Sequence, residues 1–145
     1  MNNKELADRA AIKELIDRIS IFGDQKKIKD QLQLFTEDAV SETFAEGNMI
    51  LQLKGRKEME VAFCRFLEDF DTVYHFNGQH VVSVNGDEAT GMCYCMVTLI
   101  GYQGDKRMKT TIGAIYEDRY IRLDNSWLIA ERIGNFDWQE KRELS

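Results

Sequence analysis

The stretch from Val73 to Phe136, VYHFNGQHVVSVNGDEATGMCYCMVTLIGYQGDKRMKTTIGAIYEDRYIRLDNSWLIAERIGNF, decides the fold. Asn85-Gly86 lies between two apolar alternations, and this dipeptide suits the positive backbone angles of a tight hairpin turn. Gly104-Asp105 and Asp124-Asn125-Ser126 mark two further turns. The spacing therefore predicts four strands, Val73–Val84, Ala89–Gly101, Met108–Leu123 and Trp127–Phe136, joined as an antiparallel meander. In the second strand Ala89, Gly91, Cys93, Cys95, Val97 and Leu99 alternate with Thr90, Met92, Tyr94, Met96, Thr98 and Ile100, so neither face is properly polar. Helices and a pocket can cover one face. The other, with its Met and Tyr stripe, calls for a partner subunit, and a homodimer through this convex face is the economical cover.

Upstream, Ile12, Leu15, Ile16, Ile19 and Phe22 follow helical spacing, which predicts an amphipathic helix over Glu5–Phe22. Gly23-Asp24 interrupts it, and Ile28, Leu32, Leu34 and Phe35 predict a second, shorter helix reaching Thr36. Val40–Ala45 and Met49–Leu53 read as short strands around a Glu46-Gly47-Asn48 turn. Met59, Phe63, Phe66, Leu67 and Phe70 return to helical spacing over Arg56–Phe70. Helices segregated from a late antiparallel sheet indicate an α+β fold.

Size supports one domain spanning residues 1–145, with 43% apolar and 30% charged residues leaving no segment polar enough to stay disordered. The net charge of -6 repels a phosphate backbone, so nucleic acid is not an expected partner. No apolar run reaches the roughly 20 residues that span a bilayer, and the N-terminus has no apolar signal core. The expected location is the cytoplasm, away from membranes. Cys64, Cys93 and Cys95 fit no disulfide framework and read as reduced thiols. Cys93-x-Cys95 lacks the further ligands a zinc site needs, so no metal is expected. Phosphate loops, dinucleotide glycine motifs, serine-hydrolase elbows and zinc-protease motifs are all missing from the sequence.

Only two histidines are present, His75 and His80. Their odd separation puts them on opposite strand faces unless Asn77-Gly78 forms a bulge, so one functional histidine is expected at most. By itself His75 reads more simply as a structural histidine with a hydrogen-bond partner, and Asp24 most simply as the N-cap of the second helix. Arg132 shares a face with Leu128 and Ala130 by simple alternation, an odd place for a guanidinium unless it meets an anion or carboxylate. Glu117 and Glu131 alternate to the opposite faces and read as solvent or interface residues.

Arg9-Ala10-Ala11-Ile12-Lys13-Glu14-Leu15, Gly23-Asp24 and Leu34-Phe35-Thr36-Glu37-Asp38-Ala39-Val40 together resemble the opening of SnoaL-like domains in the nuclear-transport-factor-2-like superfamily. Gly55-Arg56, His75, Val84-Asn85-Gly86-Asp87-Glu88-Ala89 and the closing run from Asp124 to Arg132 continue the resemblance in order. It implies a cone-shaped α+β barrel, with a curved antiparallel sheet wrapped around N-terminal helices.

Within that superfamily the chain is similar to the scytalone dehydratase, bile acid dehydratase and hexachlorocyclohexane dehydrochlorinase group. That similarity implies an Asp24–His75 dyad, Arg132 in the pocket, and a lining that includes Ile19, Phe22, Cys95, Val97, Ala114 and Tyr116. The implied activity is cofactor-independent proton abstraction by a dehydratase (hydro-lyase) or isomerase on a small hydrophobic, ring-type molecule. Two departures stand out. Ile19 occupies the place of the dehydrochlorinase lysine, and no tyrosine stands near Thr43 and Phe44, which leaves Tyr116 or Arg132 as the electrophilic donor. The competing expectation is a non-catalytic ligand-binding or dimerisation domain of the same fold.

Overall fold

A computed structural model describes residues 1–145. Three helices precede and interrupt the strands: α1 (Asn3–Asp24), α2 (Ile28–Leu32) and α3 (Gly55–Leu67). The strands are β1 (Phe35–Ala45), β2 (Asn48–Lys54), β3 (Thr72–Asn85), β4 (Glu88–Gln103), β5 (Lys106–Leu123) and β6 (Ser126–Glu143). They form one six-stranded sheet in the order β2-β1-β6-β5-β4-β3. The expected meander is β3 to β6, and the Asn85-Gly86 turn joins its first two strands.

Two features differ from a wholly antiparallel barrel. β6 runs parallel to β1, because the chain returns to that neighbour only after α3 and the whole meander. The sheet also stays unclosed: β2 and β3 are free edges. The helices occupy the concave side, where Ile12, Ile16 and Met59 are fully buried in a core with Phe35, Val97 and Ile129.

The second helix ends earlier than its apolar spacing suggests. Phe35 is already in β1 opposite Ile129, the Ile129 amide donates to Leu34 O, and Arg56 Nε and Nη2 donate to Phe35 O at 3.0 and 2.7 Å. Tertiary bonds thus claim a residue that helical periodicity also fits. β6 runs past Phe136 to Glu143 because its polar end pairs with β5 through the backbone, a signal absent from side-chain polarity.

Bulges decide which side chains face inward. Gly78 and Gln79 together oppose Tyr94, since Asn77 pairs with Cys95 and His80 with Cys93. The conditional bulge is therefore present, and His75, Asn77 and His80 all lie on the concave face. In β6 the register slips at Ala130: Tyr120 pairs with Ile129, and Arg119 with Glu131. Arg132 consequently shares the inner face with Trp127 and Ile129, rather than with Leu128 and Ala130 as simple alternation has it. On the convex side Tyr74, Phe76, Met92, Tyr94, Met96 and Trp138 are all exposed.

Candidate active site

Between the helices and the inner sheet face lies a cavity of about 400 Å³, most of whose lining residues are hydrophobic. α1 contributes Ile19, Ser20 and Gly23, α2 Gln31, α3 Ala62, Phe63, Phe66 and Leu67, and the sheet His75, Val97, Leu99, Ile112, Tyr116, Arg132 and Phe136. Ile50, Leu51 and Phe66 line it while remaining exposed, which marks the side open to solvent.

Asp24 closes the last turn of α1, a position where an anion opposes the helix dipole. Its carboxylate is held instead by β3. Oδ1 lies 2.7 Å from His75 Nδ1, and the His75 backbone amide donates to Oδ2 at 3.2 Å. The N-cap alternative fails: α2 is preceded by Lys27, with no side-chain cap, because the chain makes a further turn through Lys26 (φ 58°) before α2 begins. A carboxylate accepting at Nδ1 favours the tautomer with the proton there and leaves Nε2 as a lone-pair acceptor. His75 lines the cavity; Asp24 sits behind it.

A second inward network lies deeper along the sheet. Arg132 Nε and Nη2 donate to Asp118 Oδ1 and Oδ2 at 2.8 and 3.1 Å, and the guanidinium stacks 4.1 Å from the Tyr116 ring. The Tyr120 hydroxyl donates to Asp118 Oδ2 at 2.9 Å and lies 3.3 Å from His80 Nε2. Burial opposes the Arg132 charge, but the Asp118 charge and hydrogen bonds outweigh it and raise the pKa, so Arg132 stays charged. Burial first, and Asp118 after it, raises the Tyr120 pKa. Burial likewise raises that of Tyr116 against the pull of Arg132, so both phenols stay protonated. Glycine makes room for both rings: a Cβ at Gly134 would lie 3.0 Å from Tyr116 Cε1, and one at Gly91 3.0 Å from Tyr120 Cε2.

The expected lining is thus divided. Ile19, Val97 and Tyr116 face the cavity with His75 and Arg132, whereas Phe22, Cys95 and Ala114 do not line it. On α1 the cavity takes Ile19, Ser20 and Gly23, so the helical rotation turns Phe22 away. Cys95 pairs with Asn77 and Ala114, and the Asn77 amide donates to Asp17 Oδ1 and Ser20 Oγ on α1, each at 3.1 Å. Helix and amide seal that part of the face over two short side chains. Burial pushes the Cys93 and Cys95 thiols up to about 11 and about 12, which makes them inert packing groups. No three His, Cys, Asp or Glu side chains converge as metal ligands.

Asp118, Tyr120 and Gln31 are absent from the sequence-derived set. For Asp118 the signal is its parity: Ile112, Ala114, Tyr116, Asp118 and Tyr120 alternate onto one face of β5, so an acid stands among core positions. Gln31 similarly shares the buried stripe of Ile28 and Leu32.

A family model for the SnoaL-like domain matches residues 4–133. An uncharacterized protein of Mycobacterium tuberculosis is 28% identical over 130 residues, covering 89% of this chain and 85% of that protein. Among solved structures, a candidate scytalone dehydratase of Novosphingobium aromaticivorans aligns with a TM-score of 0.85 at 17% identity, covering 100% of this chain and 94% of that one. A type 2 hexachlorocyclohexane dehydrochlorinase aligns with a TM-score of 0.77 at 22% identity, covering 97% and 91%. At these identities the structural likeness establishes the fold. No helix of the chain is long and apolar enough to cross a membrane.

Proposed function

The chain belongs to the SnoaL-like domain family, and we propose that it is a cofactor-independent enzyme of dehydratase or isomerase type, acting on a small hydrophobic ring compound. One observation carries this reading: a cavity-lining imidazole whose Nδ1 is 2.7 Å from a carboxylate behind it. Asp24 orients His75, and Nε2 takes a proton from carbon, a contribution typically worth about 10²–10⁴ in rate. The Arg132 guanidinium and the Tyr116 hydroxyl are the donors to negative charge developing on a substrate oxygen. Loss of hydroxide from the adjacent carbon, neutralised as water by the proton that His75 Nε2 has taken, completes a dehydration and returns the imidazole to its neutral form. Return of the proton to a different carbon completes an isomerisation. Ile19 stands where the sequence resemblance puts the dehydrochlorinase lysine and gives this wall no ammonium, so chloride elimination is not the proposed reaction.

Incubation with cyclic ketones in deuterated water tests proton abstraction whichever outcome follows it. Enzyme-dependent exchange of the hydrogen next to the carbonyl is expected, falling by about 10²–10⁴ in His75→Ala. Exchange that persists undiminished in that variant would defeat the reading.

The convex face supports a homodimer as the second part of this proposal. Tyr74, Phe76, Met92, Tyr94, Met96 and Trp138 form an exposed apolar surface on neighbouring strands. Surfaces of that kind mark interfaces, and aromatic and Met residues are enriched there. A purely ligand-binding domain would use the same cavity, with Asp24 serving only to tie the end of α1 to the His75 backbone amide.

A further inference from the structure

Arg132 is the only lysine or arginine side chain in the cavity wall. A guanidinium in such a place ordinarily marks a carboxylate receptor, because its fork matches two oxygens at once. Here the fork is already filled. Nε and Nη2 donate to Asp118 Oδ1 and Oδ2, and Asp118 has no solvent exposure, so water does not screen its charge from Arg132. The rest of the wall adds negative charge and no uncompensated positive charge. Glu42 lines it and accepts from Gln52 Nε2 at 2.6 Å, an uncharged donor. Asp24 stands behind His75 and balances the imidazole even when that ring is protonated. α1 brings the negative end of its dipole to the wall at Gly23, with no basic residue in its last turn. Lys26 and Arg56 donate to the Phe70 and Phe35 carbonyls and lie outside the wall. One guanidinium is thus set against three carboxylates and a helix C-terminus around a mostly apolar cavity, where an uncompensated anion is costly.

We propose that Asp118 and Glu42 set the charge specificity of this cavity, which admits uncharged ring compounds carrying an oxygen acceptor and excludes the corresponding carboxylates. Asp118 converts Arg132 from an anion receptor into a hydrogen-bond donor without net charge, and Glu42 repels an anion from the wall itself. The inference rests on the reading of the cavity as a ligand site and names the charge of what that site takes. It holds whether or not His75 acts as a base.

The pair 2-acetylnaphthalene and 2-naphthoate, a methyl ketone and a carboxylate of nearly the same shape, tests it by titration calorimetry at about pH 8, where the acid is ionised and an ordinary imidazole is neutral. The wild type is expected to bind the ketone at least about tenfold more tightly than the carboxylate. Any apolar cavity shares part of that preference, and the variants isolate the part due to the carboxylates. Asp118→Asn keeps the shape of the side chain and removes its charge. It is expected to raise the affinity for naphthoate about tenfold and to change that for the ketone by less than about threefold. A ratio of the two affinities unchanged in Asp118→Asn would overturn the assignment, as would a wild type that binds naphthoate as tightly as the ketone; both results leave the ligand-site reading standing. Binding of neither molecule to the wild type would overturn the assignment together with that reading. Should Asp118→Asn fail to fold, Glu42→Gln decides, since Glu42 is only half-buried and its Gln52 contact survives the change. Naphthoate affinity about threefold higher with the ketone unaffected supports the proposal, and an unchanged ratio overturns it.

Discussion

Arg132 enters the cavity wall already paired with Asp118, through contacts of 2.8 and 3.1 Å to a carboxylate with no solvent exposure. Asp118 thereby fixes the guanidinium as an oriented set of donors above the Tyr116 ring and offsets its charge. Removing one partner of such a pair strands the other in a low-dielectric site. Asp118→Ala is expected to lose about 3–5 kcal/mol of stability. The paired change Asp118→Leu with Arg132→Met should recover much of the loss, as read by urea unfolding. A single variant as stable as the wild type would contradict this account of the pair.

His80 gives stability a pH dependence of known sign. Burial lowers its pKa, with Asp118 and Asp17 pulling upward and Lys13 and Arg132 adding to the fall. The folded protein therefore binds fewer protons at this site than the unfolded chain. The contribution of neutral His80 is complete above the ordinary imidazole value of about 6.5 and is lost as pH falls below it through the lowered folded value. Urea unfolding of His80→Gln should show a flatter dependence below about pH 6.5 than the wild type. Equal slopes would show that His80 is not held neutral.

Two glycines are predicted to be intolerant of a methyl group for the same reason. Alanine at position 91 would put Cβ 3.0 Å from both Tyr120 Cε2 and Val81 O, and at position 134 3.0 Å from Tyr116 Cε1. Gly91→Ala should cost about 1–3 kcal/mol, because the backbone oxygen cannot yield and Tyr120 is bonded to Asp118. Gly134→Ala should displace the Tyr116 ring and weaken ligand binding more than stability. Denaturant midpoints and probe affinities measure the two effects.

The convex face makes a prediction about mass. Light scattering should give at least twice the 16.8 kDa of the chain over a dilution series. Tyr94→Glu should lower the association without disturbing the cavity, since Tyr94 faces away from it. A wild type that stays monomeric throughout would remove the dimer from the proposal.

The order of elements was legible because turn chemistry and periodicity are local: Asn85-Gly86 and the α1 stripe each declare themselves within a few residues. Facing was less legible, because it depends on bulges. The extra residues at Gly78-Gln79 and Ala130 reverse the parity of the stretches that follow them, which brings His80 inward and reassigns the neighbours of Arg132. Asp24 could be read as a cap or as a partner of His75 from sequence, since the choice lies in a contact 51 residues away. Gln31 was hidden for a different reason: its amide reaches back to the Ile19 carbonyl of α1, a contact that no local pattern encodes.

The central claim is that Asp24 holds the proton on His75 Nδ1 and leaves Nε2 free to act as a base. Long-range proton–nitrogen correlation spectra of histidine-labelled protein, recorded above about pH 8 where an ordinary imidazole is neutral, report the tautomer of each ring directly. The account predicts the Nδ1-protonated tautomer for His75 in the wild type and its loss in Asp24→Ala, with the His80 signals unchanged as the internal reference. A wild-type His75 carrying its proton on Nε2 would contradict it, because the nitrogen assigned to proton abstraction would then be a donor.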